Sequence, residues 1–171
     1  MSTKKDKFTK KDHYFMNLAI TLARSQKSIV GPNPSVGCII VKKSKVRSFG
    51  LTNSTGRPHA ETIALKRNKF TSKGSTVYTT LEPCSHYGKT PPCTNALIKA
   101  KVNKVIYSVK DHDKRSFDKS QKILKSKKIK SKTGLLSKNV NNFYKIYNYI
   151  KENNLPYVTG KIACSSNFYI L

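Results

Sequence analysis

Apolar and polar positions along this chain fall into helical and strand-like rhythms that alternate. Phe15, Leu18, Ala19, Leu22 and Ala23 recur at helical spacing behind Asp12, a candidate N-cap, so a helix is expected from Asp12 to about Ser25. The two prolines of Gly31-Pro32-Asn33-Pro34 restrict themselves and the residues before them, which demands a non-helical loop. Val36 to Val41 is a nearly continuous apolar run suited to a buried strand, and Val46 to Leu51 reads as a weaker strand folding back on it across Lys42 to Lys45. A helix is expected after Pro58 to about Lys69, then a strand over Ser75 to Leu81. Pro91 or Pro92 can open the next helix, to about Ala100, because the missing N–H costs little there.

Val102 to Val109 alternates as a strand, and Phe117 to Lys127 reads as a lysine-studded helix anchored by Ile123 and Leu124. Ile129 to Gly134 is a short strand candidate. Phe143, Ile146, Tyr147 and Ile150 repeat at helical spacing and read as a packing stripe rather than a base-stacking platform. Strands alternating with helices imply a layered α/β domain, and no internal repeat is visible.

At 171 residues the chain suits one compact domain. Residues 1–11 read as a basic, flexible tail. The longest apolar run is far below membrane-spanning length and no signal-peptide pattern opens the chain, so a cytoplasmic protein without a membrane partner is expected. Charge changes the picture more: 34 Lys+Arg against 8 Asp+Glu leave +26 at pH 7. Such an excess suits nucleic acid. However, only five of the bases are arginine, and the basic stretch Lys119 to Lys132 holds no aromatic for stacking. A solvated lysine-rich surface is therefore expected, with no nucleic-acid partner.

The four cysteines are Cys38, Cys84, Cys93 and Cys164. Without an export signal they read as metal ligands or core residues before disulfides. Cys38 sits in an apolar strand, and Cys164 lies far from the reactive cluster. That cluster consists of His59-Ala60-Glu61 and Glu82-Pro83-Cys84-Ser85-His86-Tyr87-Gly88-Lys89-Thr90-Pro91-Pro92-Cys93. His59, Cys84 and Cys93 supply the imidazole and thiolates that zinc favours, three ligands leaving a fourth position for water. Helix N-termini beside His59 and Cys93 would favour the thiolate form. Glu61 diverges from His59 by roughly 200° on an ideal helix, which suits a general base beside the metal better than a fourth ligand. The chain has only three glutamates, and two of them lie in these segments. A closed structural zinc site is the plain alternative, and it has no use for Glu61.

His-x-Glu followed by Pro-Cys and a second cysteine resembles the zinc nucleobase deaminases. Eight residues instead of two separate the cysteines here. That longer form, with Gly31-Pro-Asn-Pro-Ser-Val-Gly37 and Pro58-His-Ala-Glu61, resembles the deaminase domain of the bifunctional riboflavin-biosynthesis deaminase/reductase, over about Asp12 to Ile162.

The resemblance implies a cytidine-deaminase-like α/β/α three-layer sandwich around a mostly parallel or mixed sheet of about five strands. It implies one zinc ion per chain on His59, Cys84 and Cys93, with Glu61 catalytic, and a homo-oligomer. The reaction implied is hydrolytic deamination of 2,5-diamino-6-ribosylamino-4(3H)-pyrimidinone 5′-phosphate. Asn33 is expected on the pyrimidine, His86 and Lys89 on the ribose phosphate, and Ala60 in the substrate site.

Domain limits are expected at 12–152 for the deaminase and 153–171 for a stub similar to the start of a reductase domain, through Pro156-Tyr-Val-Thr-Gly-Lys-Ile-Ala163. Deamination is expected and reduction is not. Two departures bear on the site. Thr52 stands where many members have a histidine, and Asp111-His-Asp-Lys-Arg-Ser-Phe-Asp118 replaces a glycine-rich Asp-Pro-Asn-Pro-type loop. The alternatives are another zinc nucleotide or tRNA deaminase, or a truncated, non-catalytic remnant with a nucleic-acid-binding surface.

Overall fold

A computed structural model describes residues 8–26, 29–31 and 33–166. Residues 1–7 of the expected tail and 167–171 of the expected stub lie outside the described residues. The first helix, α1 (Lys10–Arg24), begins earlier than the sequence suggested because Thr9, not Asp12, is its N-cap. Thr9 Oγ1 accepts from the Asp12 N–H at 3.1 Å, while the Asp12 carboxylate accepts from the Thr9 N–H at 2.9 Å. This reciprocal pair satisfies two helix-end donors and draws Lys10 and Lys11 out of the expected tail into the helix.

The expected non-helical stretch at Gly31 carries a two-residue antiparallel ladder, β1 (Ile29–Val30) with β2 (Asn33–Pro34). The expected hairpin follows as β3 (Gly37–Lys42) and β4 (Lys45–Leu51). Next come α2 (Ala60–Arg67), β5 (Thr76–Leu81), α3 (Cys93–Lys99) and β6 (Lys104–Val109). The chain continues through α4 (Ser120–Ser126), β7 (Lys130–Thr133), α5 (Ser137–Phe143) and α6 (Lys145–Asn153).

Helix α4 starts at Ser120 rather than Phe117 because Asp118 adopts a left-handed φ of 57°, which a helix cannot continue through. The last apolar stripe is split into α5 and α6 at Tyr144. That ring is fully buried, and its hydroxyl donates to the Ser35 carbonyl at 2.8 Å and pairs with Thr80 Oγ1 at 2.7 Å. Ile146 of the same stripe is 36% exposed, so packing describes only part of it.

The five-stranded sheet runs β4-β3-β5-β6-β7, antiparallel over its first three strands and parallel from β5 to β7. Helices cover both faces, giving the expected three layers, and two glycines show why they approach so closely. A Cβ on Gly37 would lie 1.9 Å from the Ala19 carbonyl oxygen of α1. One on Gly50, whose cross-strand partner is Cys38 and not Gly37, would lie 2.0 Å from the Ala60 carbonyl oxygen of α2. Neighbouring strand positions face opposite sides, so each glycine admits a helix backbone to its own face. Ile40, Leu65, Val77, Leu97, Val105 and Ile106 fill the core between the layers, each burial contributing about 1.5–3 kcal/mol.

Candidate active site

Strands β5 and β6 end side by side at Leu81 and Val109, and the loops leaving them frame a cleft. A crevice at the carboxyl ends of parallel strands is where open α/β sheets hold ligands. Each functional side chain reaches it for a local reason. His59 is the N-cap of α2 with extended backbone angles of φ −71° and ψ 156°, so it stands outside the helix and Glu61 lies in the first turn. The roughly 200° divergence of an ideal helix therefore does not apply, and both residues line the cleft. Cys84 follows β5 in the motif loop. Cys93 opens α3 behind Pro92, and its backbone N–H donates to Cys84 Sγ at 3.2 Å.

His59 Nδ1 lies 3.5 Å from Cys84 Sγ and 3.4 Å from Cys93 Sγ, and the three donor atoms all fall within 4.8 Å of one another. Tetrahedral zinc with nitrogen at about 2.0 Å and sulfur at about 2.3 Å separates such donors by about 3.5 Å. The donor set therefore fits zinc in both chemistry and spacing. The other imidazole nitrogen, Nε2, is buried and has no hydrogen-bond partner among the described residues. Cys84 is pushed down to about 4 by the hydrogen bond from Cys93 and by His59, while the Cys93 thiol is pushed up by its bond to Cys84 and by burial. Together the pair holds one negative charge readily, and that charge raises the His59 pKa through its bond to Cys84.

Glu61 is 3% exposed, and burial pushes its carboxyl up to about 7, with the charge of His59 the strongest influence against that rise. A carboxyl near neutrality beside a thiolate and imidazole set can take a proton and return it. Asn33 and His86 line the same cleft. Asn33 Nδ2 donates to the Gly56 carbonyl at 2.8 Å, and His86 Nδ1 pairs with Ser116 Oγ at 2.8 Å.

Two sequence candidates do not join them. Lys89 is exposed and is not among the residues lining the cleft, because the motif loop carries residues 87–90 outward. Ala60 is fully buried, with its carbonyl against Gly50. Thr52 lines the cleft, but its hydroxyl is engaged with the Val36 N–H at 2.9 Å.

Sequence reasoning missed Arg57, Tyr147 and Lys151, which also line the cleft, and it flagged the segment of Asp111, Asp113 and Arg115 without singling out these three, which line it too. One signal was available: the chain has only five arginines, and two of them are here. Glu82, conspicuous for the scarcity of acids, is structural. Its carboxylate accepts from the backbone N–H groups of Asp111, Asp118 and Ser120 at 3.1–3.3 Å and from the Ser120 hydroxyl at 2.8 Å. Those bonds organise the loop that departs from the family pattern.

Residues 9–109 match the family model for the cytidine and deoxycytidylate deaminase zinc-binding region. The chain is 39% identical over 154 residues to the riboflavin biosynthesis protein RibD of Bacillus amyloliquefaciens, covering 90% of this chain and 42% of that protein. It is 42% identical over 128 residues to the diaminohydroxyphosphoribosylamino-pyrimidine deaminase of Buchnera aphidicola subsp. Schizaphis graminum, covering 75% of this chain and 87% of that one. The solved structure of Acinetobacter baumannii RibD (form 2) superposes with a TM-score of 0.81 at 38% identity, covering 86% of this chain and 42% of its own. The chain thus spans about two fifths of the length of the RibD relatives it matches.

Proposed function

This chain belongs to the cytidine and deoxycytidylate deaminase zinc-binding family, and from that premise we propose that it hydrolytically deaminates 2,5-diamino-6-ribosylamino-4(3H)-pyrimidinone 5′-phosphate, releasing ammonia. The observation that carries this reading is the convergence of His59 Nδ1 with the Cys84 and Cys93 sulfurs in the cleft that also holds the buried Glu61 carboxyl. The similarity to the Buchnera diaminohydroxyphosphoribosylamino-pyrimidine deaminase and to the RibD proteins supports the choice of substrate.

His59, Cys84 and Cys93 hold the metal in this reading. Bound zinc supplies a Lewis acid that lowers the pKa of water toward about 7 and so makes a nucleophile available at neutral pH. Glu61 takes one proton of the attacking water and gives it to the ring nitrogen; it then takes the proton of the new hydroxyl on the reacting carbon and gives it to the amine, which leaves as ammonia while that carbon becomes a carbonyl. Its burial suits both proton relays, since a carboxyl near neutrality is both a competent base and a competent acid. Asn33, fixed by Gly56, faces the heterocycle, and His86, fixed by Ser116, faces the ribose end.

The reading carries two domain limits, 12–152 for the deaminase, whose helix now begins at Lys10, and 153–171 for the segment similar to a reductase opening. It also carries a cytoplasmic homo-oligomer without a nucleic-acid partner. Among the described residues no helix is long and apolar enough to cross a membrane.

Ammonia release from the diaminopyrimidine ribose phosphate tests the proposal, run beside Glu61→Gln with zinc content measured in both. Release by the parent chain and a loss of about 10²–10⁴-fold in the variant at unchanged zinc is the expected result. A zinc-loaded parent chain that releases no ammonia would sink it.

A further inference from the structure

The cleft holds two cations joined by one carboxylate. Asp113 accepts from Arg115 Nε at 2.9 Å and from Arg115 Nη2 at 2.6 Å, a two-point fork, and from Lys151 Nζ at 3.3 Å. The fork occupies two of the five guanidinium donors, and Lys151 commits one of three. The Arg115 side chain is 62% exposed, so its remaining donors are accessible from solvent. Asp113 thus meets two cations, and with Asp111 as the other carboxyl of this wall the cleft offers here the free donors of Arg115 and Lys151 rather than an excess of charge.

The arrangement comes from three parts of the chain. Asp113 and Arg115 lie in the loop after β6, whose residue Ser116 is bonded to His86 of the zinc motif. Lys151 comes from α6, and Glu82 anchors the same loop from beneath. Asp113 stays ionised at neutral pH because the bond from Arg115 holds its carboxyl far below the usual range. Lys89, the motif lysine expected on the ribose phosphate, is exposed and does not line the cleft.

We propose that Arg115 and Lys151, aligned by Asp113, grip the phosphate of the substrate at the end of the cleft beside His86. The proposal rests on the reading of the substrate as a ribose phosphate. A planar guanidinium suits a phosphate at two points, and one already clamped by a carboxylate loses little freedom when a ligand arrives. Asp113 is a positioning residue: it touches the cations, and its removal changes their orientation as well as the charge.

Isothermal titration of the full chain with ribose 5-phosphate, beside ribose, tests this without requiring turnover. The expected result is binding of ribose 5-phosphate in preference to ribose. Arg115→Ala and Lys151→Ala each weaken it about tenfold, and Arg115→Lys recovers part of the loss. Asp113→Asn also weakens binding although it removes a negative charge, whereas a purely electrostatic role would strengthen it. Lys125→Ala, an exposed lysine on α4, leaves the affinity unchanged. With the diaminopyrimidine ribose phosphate, Arg115→Ala raises KM about tenfold and holds kcat within about twofold.

No ribose 5-phosphate binding by the parent chain would overturn the proposal. So would tighter binding by Asp113→Asn, or a loss in Lys89→Ala with none in Arg115→Ala. The two readings fail separately. Ribose 5-phosphate binding that depends on Arg115, without ammonia release, removes the deamination and keeps the grip. Ammonia release with an unchanged KM in Arg115→Ala removes the grip and keeps the reaction.

Discussion

Tyr147 of α6 donates its hydroxyl proton to Asp111 Oδ1 at 2.7 Å, tying the last described helix to the loop after β6. The same oxygen accepts from the Asp113 N–H at 3.0 Å, so one carboxyl joins the helix, the loop and the wall of the cleft. Asp111 is 6% exposed, and burial raises its pKa to about 6 against the pull of these two bonds, with Asp113 and Glu82 adding like charge.

A carboxyl raised by folding binds its proton longer in the native state than in the unfolded chain. Stability from Asp111 is therefore fully present below about pH 4 and is lost as pH rises to about 6, a decline of up to roughly 3 kcal/mol. Asp111→Asn retains an oxygen acceptor and has no charge to bury. Urea midpoints across pH 4–7 should fall less steeply in this variant than in the parent; equal slopes would remove Asp111 as the cause.

Glu82 makes a different prediction. Glu82→Ala strips the acceptor from three backbone N–H groups, those of Asp111 and Ser120 buried, and from the Ser120 hydroxyl at once. We expect a loss of about 3–5 kcal/mol in urea unfolding. Hydrogen exchange should speed first at Asp118 and Ser120. A variant within 1 kcal/mol of the parent would contradict the anchoring role.

Gly50→Ala places a methyl group 2.0 Å from the Ala60 carbonyl oxygen, a backbone atom that no side-chain rotation can move away. Helix α2 must shift, and with it His59 and Glu61. The expected outcome is a loss of about 3 kcal/mol or more together with weakened zinc retention. Gly74→Ala is the contrast: a Cβ there meets nothing within 4 Å, and only its φ of 75° is strained, a cost of about 1–2 kcal/mol.

Removal of the metal by a chelator should abolish ammonia release, and zinc should restore it. Cys93→Ser should lower bound zinc well below one ion per chain, measured by elemental analysis after dialysis. The site also supplies folding energy, so the thermal midpoint should drop in the apo form. Zinc retained at full stoichiometry by Cys93→Ser would take Cys93 out of the ligand set.

Local pattern determined a good deal of this protein by itself. The apolar run at Val36 to Val41, the fold-back to Leu51 and the strands ending at Leu81 and Val109 were legible because strand burial is written in consecutive residues. The three metal donors and Glu61 were legible because their residue types and spacing carry the chemistry within two short segments.

Other features depended on partners distant in the chain. Asp12 lost the N-cap position to Thr9 through a reciprocal bond that composition does not rank. The His59 to Glu61 angle was settled by where α2 starts, and Lys89 was carried outward by its loop while Arg115, Tyr147 and Lys151 came inward. The bonds that decide these places span tens of residues, from Glu82 to Ser120, Asp111 to Tyr147 and Asp113 to Lys151. A periodicity read over a few turns has no access to such pairs, because only packing the helices onto the sheet makes them neighbours.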